Sequence, residues 1–290
     1  MDGSRSDDLP AHRRENRERL ATIVQDPDAD LAEVAAIIAT ESHPLGADLV
    51  APTMLRLDAL ADRLRTSGVQ ATGDAAADAT TLAERMGEGW GIRGHGEGER
   101  VPADSLMDQV LERRRGLPIT LSIFYVALGQ RRGMRLFPVA LPGHVVTAVL
   151  GAPDDDQPPV IIDPFQGGVR LDDDDLRELV RRATDGQLEF TPEMVRPATP
   201  LEIARRLLNN LTHDYSAQGD LEQALWTVEC KLVLPDEVHS DHRDLGRVLE
   251  QLGRFDDAAA AYERYAEVAP DEPDAEEVRR DALRARARTN

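Results

Sequence analysis

The sequence has little of several residue types, and each shortage excludes a class of structure. Cys230 is the only cysteine among 290 residues, so no intramolecular disulfide can form. Only 4% of the residues are aromatic, and no apolar run is long enough to span a bilayer. Lys231 is the only lysine, and the formal net charge is −20. So acidic a chain repels nucleic acid and anionic lipid, because phosphates are bound by Lys and Arg.

The same shortages indicate a compartment. A chain with one cysteine suits the cytoplasm, where thiols stay reduced. Residues 1–9 are polar and acidic, which predicts a disordered tail and does not resemble a secretory signal. The chain has 41% hydrophobic and 30% charged residues, enough to bury a core. We therefore expect a soluble cytoplasmic protein of one or two domains, with neither membrane nor nucleic acid as a partner.

Helical spacing of apolar residues predicts several helices before residue 87, with a break at Asp26-Pro27-Asp28. Residues 87–98 predict a flexible loop whose glycines lack the spacing of a phosphate-binding loop. Residues 118–132 are apolar on most sides, which predicts a buried central helix. Pro118 suits the first turn of that helix and Gly133 suits its end.

Three short runs rich in Val, Ile and Leu predict strands at residues 135–141, 144–150 and 159–163. The acidic, proline-containing connection of residues 151–158 suggests that the second and third strands form an antiparallel hairpin. Pairing Ala148 with Pro159 would place His144 directly opposite Asp163. A slip of one residue would separate the two side chains, because neighbouring residues of a strand face opposite sides.

The last third of the chain repeats. Gly219 and Gly253 are 34 residues apart, and the residues around them are similar, as are Leu234-Pro235 and Ala269-Pro270. A 34-residue period of paired helices with a glycine turn and a closing proline is typical of tetratricopeptide repeats (TPR). We expect TPR-like helices in residues 200–290, after a domain of residues 10–190.

Three segments together resemble the SirB-type family of bacterial proteins: VLERRRGLPITLS at residues 110–122, LPGH at 141–144 and IDPFQGG at 162–168. The resemblance implies an α+β fold. A helical N-terminal part would lead into a transglutaminase- or cysteine-protease-like core with a small antiparallel sheet, and TPR helices would follow. It also implies that catalysis is not guaranteed, since many members of this family lack the catalytic cysteine.

The resemblance further implies where a catalytic site would lie. In active relatives, a helix N-terminus carries the cysteine, a strand carries a histidine, and a neighbouring strand carries the aspartate that orients the histidine. His144 and Asp163 match the last two, whereas Pro118 stands at the cysteine position. The pair is therefore predicted to be vestigial: a hydrogen bond that ties two strands together.

Other candidate groups give weaker signals. The hydroxyls of Thr120 and Ser122 lie within about a turn of Pro118, but at other angles around the helix. Cys230 is expected to be a buried core residue. His95, the His239-Ser-Asp-His242 segment and the three arginines before the helix (residues 113–115) are read as ordinary surface groups. We expect no metal site and no cofactor.

The sequence supports three hypotheses about function. The first is a non-catalytic interaction or regulatory module that binds a protein or peptide through its TPR helices. The second is a hydrolase or acyltransferase that uses His144 and Asp163 with an atypical nucleophile. The third, direct regulation of transcription, is disfavoured by the net charge and the lack of a basic helix. The first is preferred, so enzymatic activity stays an open question that leans towards none.

Overall fold

The computed structural model describes residues 10–43, 47–95 and 100–289. The chain forms two compact units: one runs from Asp26 to Leu207, and the other joins residues up to Gln25 with those from Leu208 onward. We call them the sheet unit and the repeat unit. The predicted disordered tail, residues 1–9, lies outside the described residues. The predicted division into 10–190 and 200–290 stays a prediction.

The described chain is mostly helical, with one small sheet. Its α-helices, in chain order, are α1 (Ala11–Ile23), α2 (Leu31–Glu41), α3 (Val50–Thr66), α4 (Ala75–Leu82), α5 (Met107–Arg113), α6 (Pro118–Arg131), α7 (Asp173–Ala183), α8 (Pro200–Gln218), α9 (Leu221–Leu232), α10 (Ser240–Gln251), α11 (Phe255–Val268) and α12 (Ala275–Thr289). Among the described residues no helix is both long and apolar enough to cross a bilayer. The α+β fold expected from the sequence is confirmed.

Helix α6 is the buried centre of the sheet unit, as predicted. Every residue from Ile119 to Gly129 is buried. Pro118 takes the first helical position, where its missing N–H breaks no helical hydrogen bond. Gly133 follows the helix with a φ of 81°, a left-handed conformation that glycine adopts without steric cost. The sequence therefore fixes both ends of this helix by local chemistry.

The sheet has four antiparallel strands in the order β1 (Arg135–Leu141), β2 (His144–Leu150), β3 (Val160–Asp163) and β4 (Val169–Leu171). The first three were predicted and β4 was not. Ser122 of α6 donates to or accepts from Thr147 of β2 at 2.7 Å, which fastens the helix to one face of the sheet. The other face shares a hydrophobic cluster with Leu176 and Val180 of α7.

The predicted register of β2 and β3 is wrong by two residues. Ala148 pairs with Ile161 rather than with Pro159. The connection is not a symmetric hairpin loop, because its Ala152 N–H donates instead to the Gly73 carbonyl at 2.8 Å, and β3 begins only at Val160. A shift of two residues leaves every side chain on its predicted face, since strand side chains alternate with a period of two.

The predicted glycine loop is also partly wrong. Its first residues belong to a π-helix, Ala83–Gly89. A Cβ on Gly87 would lie 1.8 Å from the Gly167 carbonyl oxygen, and a Cβ on Gly168 would lie 2.9 Å from the Ala83 Cα. Glycine is needed here because two backbones touch. The π-helix thus supports the loop that follows Asp163.

In the repeat unit, helices α9 to α12 and part of α8 form hairpins. Gly219 and Gly253, both with a φ of 75°, end α8 and follow α10 at matching places. Gly246 of α10 lies against the Tyr262 ring of α11, where a Cβ would come within 2.4 Å of ring carbons. The helices thus repeat at the 34-residue spacing seen in the sequence. Helix α8 is continuous across the boundary between the two units.

Candidate functional site

The structure brings His144 and Asp163 together. His144 Nε2 lies 3.1 Å from Asp163 Oδ2. Thr147 pairs with Ile162, so continuing that register places Val146, not His144, opposite Asp163. The imidazole therefore reaches the acid along the diagonal between the strands, a distance that a long side chain can span. The pair survives the register error, and its role stays a prediction.

The Asp163 carboxylate is completely buried and held by the loop that follows it. Its Oδ1 accepts a hydrogen bond from the Phe165 backbone N–H at 2.9 Å, and its Oδ2 accepts one from Gln166 Nε2 at 3.0 Å. The Asp163 carbonyl accepts a further bond from the Gly168 N–H at 2.8 Å. The loop thus fixes the orientation of the acid, as the second half of a histidine–aspartate pair requires.

The His144 ring is less enclosed. Its side chain is 15% exposed, and the Phe165 ring meets it edge-on with the ring centroids 6.0 Å apart. A neutral imidazole that donates from Nε2 to the carboxylate has Nδ1 left as a hydrogen-bond acceptor. Within residues 10–43, 47–95 and 100–289, no group hydrogen-bonds to Nδ1. The arrangement can therefore offer one oriented basic nitrogen to another molecule.

Tyr125 of α6 is the closest aromatic hydroxyl to affect this pair electrostatically. Burial, and secondarily the Asp163 charge, raise the pKa of the Tyr125 phenol. Its hydroxyl donates to the Ile92 carbonyl at 3.2 Å. Tyr125 is therefore a neutral hydrogen-bond donor at physiological pH, and it is not an activated nucleophile.

Arg206 of α8 holds the turn that presents His144, and sequence reasoning missed it. Its Nη1 donates to the Leu141 carbonyl at 2.7 Å and its Nη2 to the His144 carbonyl at 3.1 Å. Burial lowers the pKa of this guanidinium. Nothing in the sequence links an arginine to a turn 62 residues earlier, so only the structure reveals this contact.

No side-chain nucleophile stands at the start of α6, where Pro118 is the first residue. The Thr120 hydroxyl is buried and donates to the Asp104 carbonyl at 2.6 Å. The Ser122 hydroxyl is buried and lies 3.1 Å from the Val146 carbonyl. Cys230 is buried in α9, in the repeat unit. Both hydroxyls near Pro118 are thus engaged in holding the fold.

A second histidine–aspartate contact lies at the other end of the glycine-rich segment. His95 Nε2 and Arg113 Nη1 lie 2.6 and 2.9 Å from Oδ1 of the fully buried Asp104. Arg114 donates to the Trp90 carbonyl and Arg115 to the Gly91 carbonyl. The three arginines are therefore used within the sheet unit, as the sequence reading of internal salt bridges suggested for Arg113.

The His239-Ser-Asp-His242 segment opens α10. His242 Nε2 lies 2.7 Å from Glu237 Oε1, and Asp241 Oδ1 lies 3.0 Å from the Lys231 ammonium. In the described part of the chain, no three metal-ligating side chains come together. The segment is thus occupied by ion pairs.

Comparison with known families agrees with this geometry. A family model described as the transglutaminase-like superfamily matches residues 53–209, and a tetratricopeptide-repeat model matches residues 211–282. The first match covers more than half of the chain, so the chain belongs to the transglutaminase-like superfamily. The TPR helices predicted from the 34-residue period are also confirmed.

Relatives narrow this class. A UPF0162 protein of Pseudomonas aeruginosa is 30% identical over 233 residues, which cover 80% of this chain and 82% of the relative. A UPF0162 protein of Xylella fastidiosa is 32% identical over 181 residues, covering 61% and 63%. Protein SirB1 of Salmonella typhimurium is 25% identical over 173 residues, covering 60% and 63%. The matches to the Xylella and Salmonella proteins thus span 63% of those proteins' length. The resemblance to the SirB-type family is confirmed.

Among solved structures, a crystal structure of menin matches 94% of this chain and 68% of its own, with 10% identity and a TM-score of 0.44. A likeness at that score carries no argument about this chain.

Proposed function

We propose that this chain is a non-catalytic member of the transglutaminase-like superfamily and that its TPR helices act as a protein-interaction or regulatory module. The observation that carries the proposal is the start of α6, where Pro118 occupies the position of the cysteine in active relatives. Acyl transfer through a covalent intermediate needs a thiol, hydroxyl or amine at that point, and proline supplies none.

The surroundings of Pro118 support this proposal. A serine or threonine could replace the cysteine only if a base were aligned with its hydroxyl. The Thr120 hydroxyl donates to a backbone carbonyl, and the Ser122 hydroxyl bonds to Thr147. Neither hydroxyl bonds to His144 within the described residues. His144 and Asp163 then serve as a tie between β2 and β3.

The interaction half of the proposal is supported by the repeat unit. Stacked TPR helices form extended surfaces that bind peptides in many proteins. The few helices present here could also serve only to stabilise the sheet unit, so the surface needs its own test. A cytoplasmic, bacterial setting belongs to the proposal and is supported by the single cysteine and by the bacterial relatives.

Restoring the nucleophile tests the non-catalytic half. The wild-type chain should not turn over peptide, amide or ester substrates. A Pro118→Cys variant should gain a thiol that iodoacetamide alkylates faster at pH 7 than it alkylates a free cysteine, because a helix N-terminus and a nearby base favour the thiolate. The buried Cys230 serves as the slow internal reference.

The matched control is Pro118→Cys combined with His144→Ala, which should lose the added reactivity. Equal alkylation rates with and without His144 would show that the imidazole does not serve this position. Turnover by the wild-type chain would overturn the non-catalytic half directly.

Partner capture tests the interaction half. The full chain should recover a partner that a chain without residues 200–290 does not, provided that circular dichroism shows the shortened chain still folded. Full recovery by the folded shortened chain would contradict a role for the TPR helices.

The alternative is a hydrolase or acyltransferase that uses His144 and Asp163 with an atypical nucleophile or a bound water. One observation favours it: Nδ1 of His144 has no hydrogen-bond partner within the described residues, and the ring is partly exposed. It predicts an activity that His144→Ala abolishes and Cys230→Ala leaves intact. Finding no activity across peptides, amides and esters removes its support.

A further inference from the structure

We propose that the surface of the repeat unit covered by α1 is a docking surface for an arginine-bearing amphipathic helix, and that α1 is its resident, displaceable occupant. This inference rests on the proposed interaction function and deepens it by naming the surface and the chemistry of the partner. We call this surface the Glu229 surface, after the α9 residue that pairs with α1.

The contact between α1 and α9 joins two distant parts of the chain. Arg17 Nη2 lies 3.0 Å from Glu229 Oε2, although the two residues are 212 positions apart. The Arg17 side chain is only 6% exposed, so its charge is buried against the acidic partner. Contacts group all residues up to Gln25 with the repeat unit. Helix α1 therefore belongs structurally to the TPR helices, despite its position in the sequence.

The apolar part of the α1 contact is small. Its buried residues are Asn16, Arg17 and Leu20, followed by Val24 just after the helix. A buried ion pair gains little over a hydrophobic contact of the same size, because both ions lose their water. Leu20 and Val24 are thus the main apolar anchors, which is a modest number for a permanent interface.

Helix α1 is also poorly supported by its own sequence. Pro10 at its N-cap makes no side-chain hydrogen bond, and its first turn has no acidic residue. Instead His12, Arg13 and Arg14 follow, and positive charge at a helix N-terminus opposes the helix dipole. An isolated helix of 13 residues is marginal in water. A segment of this kind can leave its surface at low cost.

Charge defines what else fits the surface. Helix α1 carries four arginines and two glutamates, whereas the chain from Leu208 onward carries 19 acidic and 10 basic residues. A basic helix on an acidic unit is electrostatically complementary, which favours other basic helices as competitors. Arg17, Leu20 and Val24 stand at i, i+3 and i+7, one face of a helix. The expected partner is a helix with arginine and two aliphatic residues at that spacing.

A peptide titration with the full chain tests the inference. The probe is a fluorescein-labelled peptide of residues 10–25, added to the wild-type chain and to a Leu20→Asp chain whose own α1 is weakened. Fluorescence anisotropy should show at least tenfold tighter binding to the Leu20→Asp chain, because its surface is vacated more often. The control is a chain with Glu15→Gln, an exposed α1 residue, which should behave as wild type.

Two further arms give the test its specificity. A peptide with Arg17→Glu should lose binding, and so should the wild-type peptide when Glu229→Ala is added to the Leu20→Asp chain. Equal binding by the wild-type and Leu20→Asp chains, with both folded by circular dichroism, would overturn the inference. So would unchanged binding after Glu229→Ala.

Hydrogen exchange on the unaltered chain covers the case in which Leu20→Asp fails to fold. Backbone amides of α1 should exchange at least tenfold faster than those of α9, because α1 opens without unfolding the unit. Equal protection of the two helices would overturn the inference. That result would leave the proposed function standing, because partner capture reads the whole repeat unit and not the release of α1.

Discussion

Two buried ionic clusters, one in each unit, are put together differently. In the repeat unit, the Lys231 ammonium is 2% exposed and lies 3.0 Å from Asp241 and 3.2 Å from Asp244. In the sheet unit, the Asp163 carboxylate is the buried member, and the His144 ring is partly exposed with one nitrogen free of partners among the described residues.

The difference separates a structural cluster from one that can also face another molecule. Lys231 presents its charge to two acids and has almost no surface left for anything else. His144 presents one ring nitrogen to Asp163 and keeps a basic atom near solvent. Burial of a charge thus indicates structure most strongly when the whole charged group is enclosed, and a candidate site when one oriented atom is left accessible.

The largest expected effect comes from the lysine cluster. Lys231→Met should lower the free energy of unfolding by about 3–5 kcal/mol, because it removes the cation from the buried Asp241. Urea denaturation of the variant and the wild type measures this. Combining Lys231→Met with Asp241→Leu should restore much of the loss, since no lone charge then stays buried. A cost near zero for Lys231→Met alone would mean that the cluster is not structural.

The next effect sharpens the contrast from the sheet unit. Asp163→Ala should cost about 2–4 kcal/mol, because it leaves His144 Nε2, the Phe165 N–H and Gln166 Nε2 without their acceptor. The same denaturation experiment applies. Asp163→Asn keeps an oxygen for the Phe165 N–H and should cost clearly less. If Asp163→Ala were harmless, the histidine–aspartate pair could not be a tie between strands.

Arg206 gives a smaller effect. Arg206→Ala should cost about 1–2 kcal/mol, because two turn carbonyls lose their donor. The matched control is Arg135→Ala: this exposed arginine donates to the Gly151 carbonyl at the other end of the β1–β2 hairpin, and its loss should cost within about 0.5 kcal/mol. NMR signals of the His144 ring should shift in the first variant only. Equal shifts would show that Arg206 does not position His144.

The smallest effect concerns an exposed ion pair, which calibrates the two buried clusters. The hydrogen bond from Arg196, aided by Thr199, lowers the pKa of Glu202 to about 2. A lowered carboxyl pKa stabilises the fold above the unfolded value, near 4.3, and that stability is lost as the pH falls towards 2. The Glu202 side chain is 39% exposed, so solvent screening limits the gain to less than about 1 kcal/mol.

Glu202→Gln should therefore lower the urea midpoint slightly at pH 7, and the difference from wild type should shrink as the pH approaches 2. Glu189→Gln, at another exposed glutamate, is the control and should show no such trend. A difference that grew on acidification would contradict the sign derived from the Glu202 pKa.

Much of the sheet unit could be predicted from sequence because its signals are local. Alternation of Val, Ile and Leu placed β1 and β2 correctly, and Pro118 and Gly133 marked the ends of α6. The register failed because the connection of residues 151–158 is anchored to Gly73, a contact that no local pattern encodes. His144 and Asp163 still met, because a two-residue shift preserves the face of each side chain.

Other features escaped because their causes lie far away in the chain. Strand β4 has three residues, too few to show a periodic pattern. The π-helix near Gly87 depends on the backbone of Gly167, 80 positions later. The pairing of Arg17 with Glu229 and the contact of Arg206 with the His144 turn are equally distant. The TPR helices were predicted because repetition itself is a long-range signal.

The continuity of α8 limits how this protein can be cut into pieces. A fragment that stopped at residue 190, where the sequence suggests a domain end, would omit Arg206 and leave the carbonyls of Leu141 and His144 without their donor. It would also lose the Ala198 N–H that donates to Pro138 of the edge strand β1. A faithful fragment of the sheet unit has to keep the first two turns of α8, to Leu207.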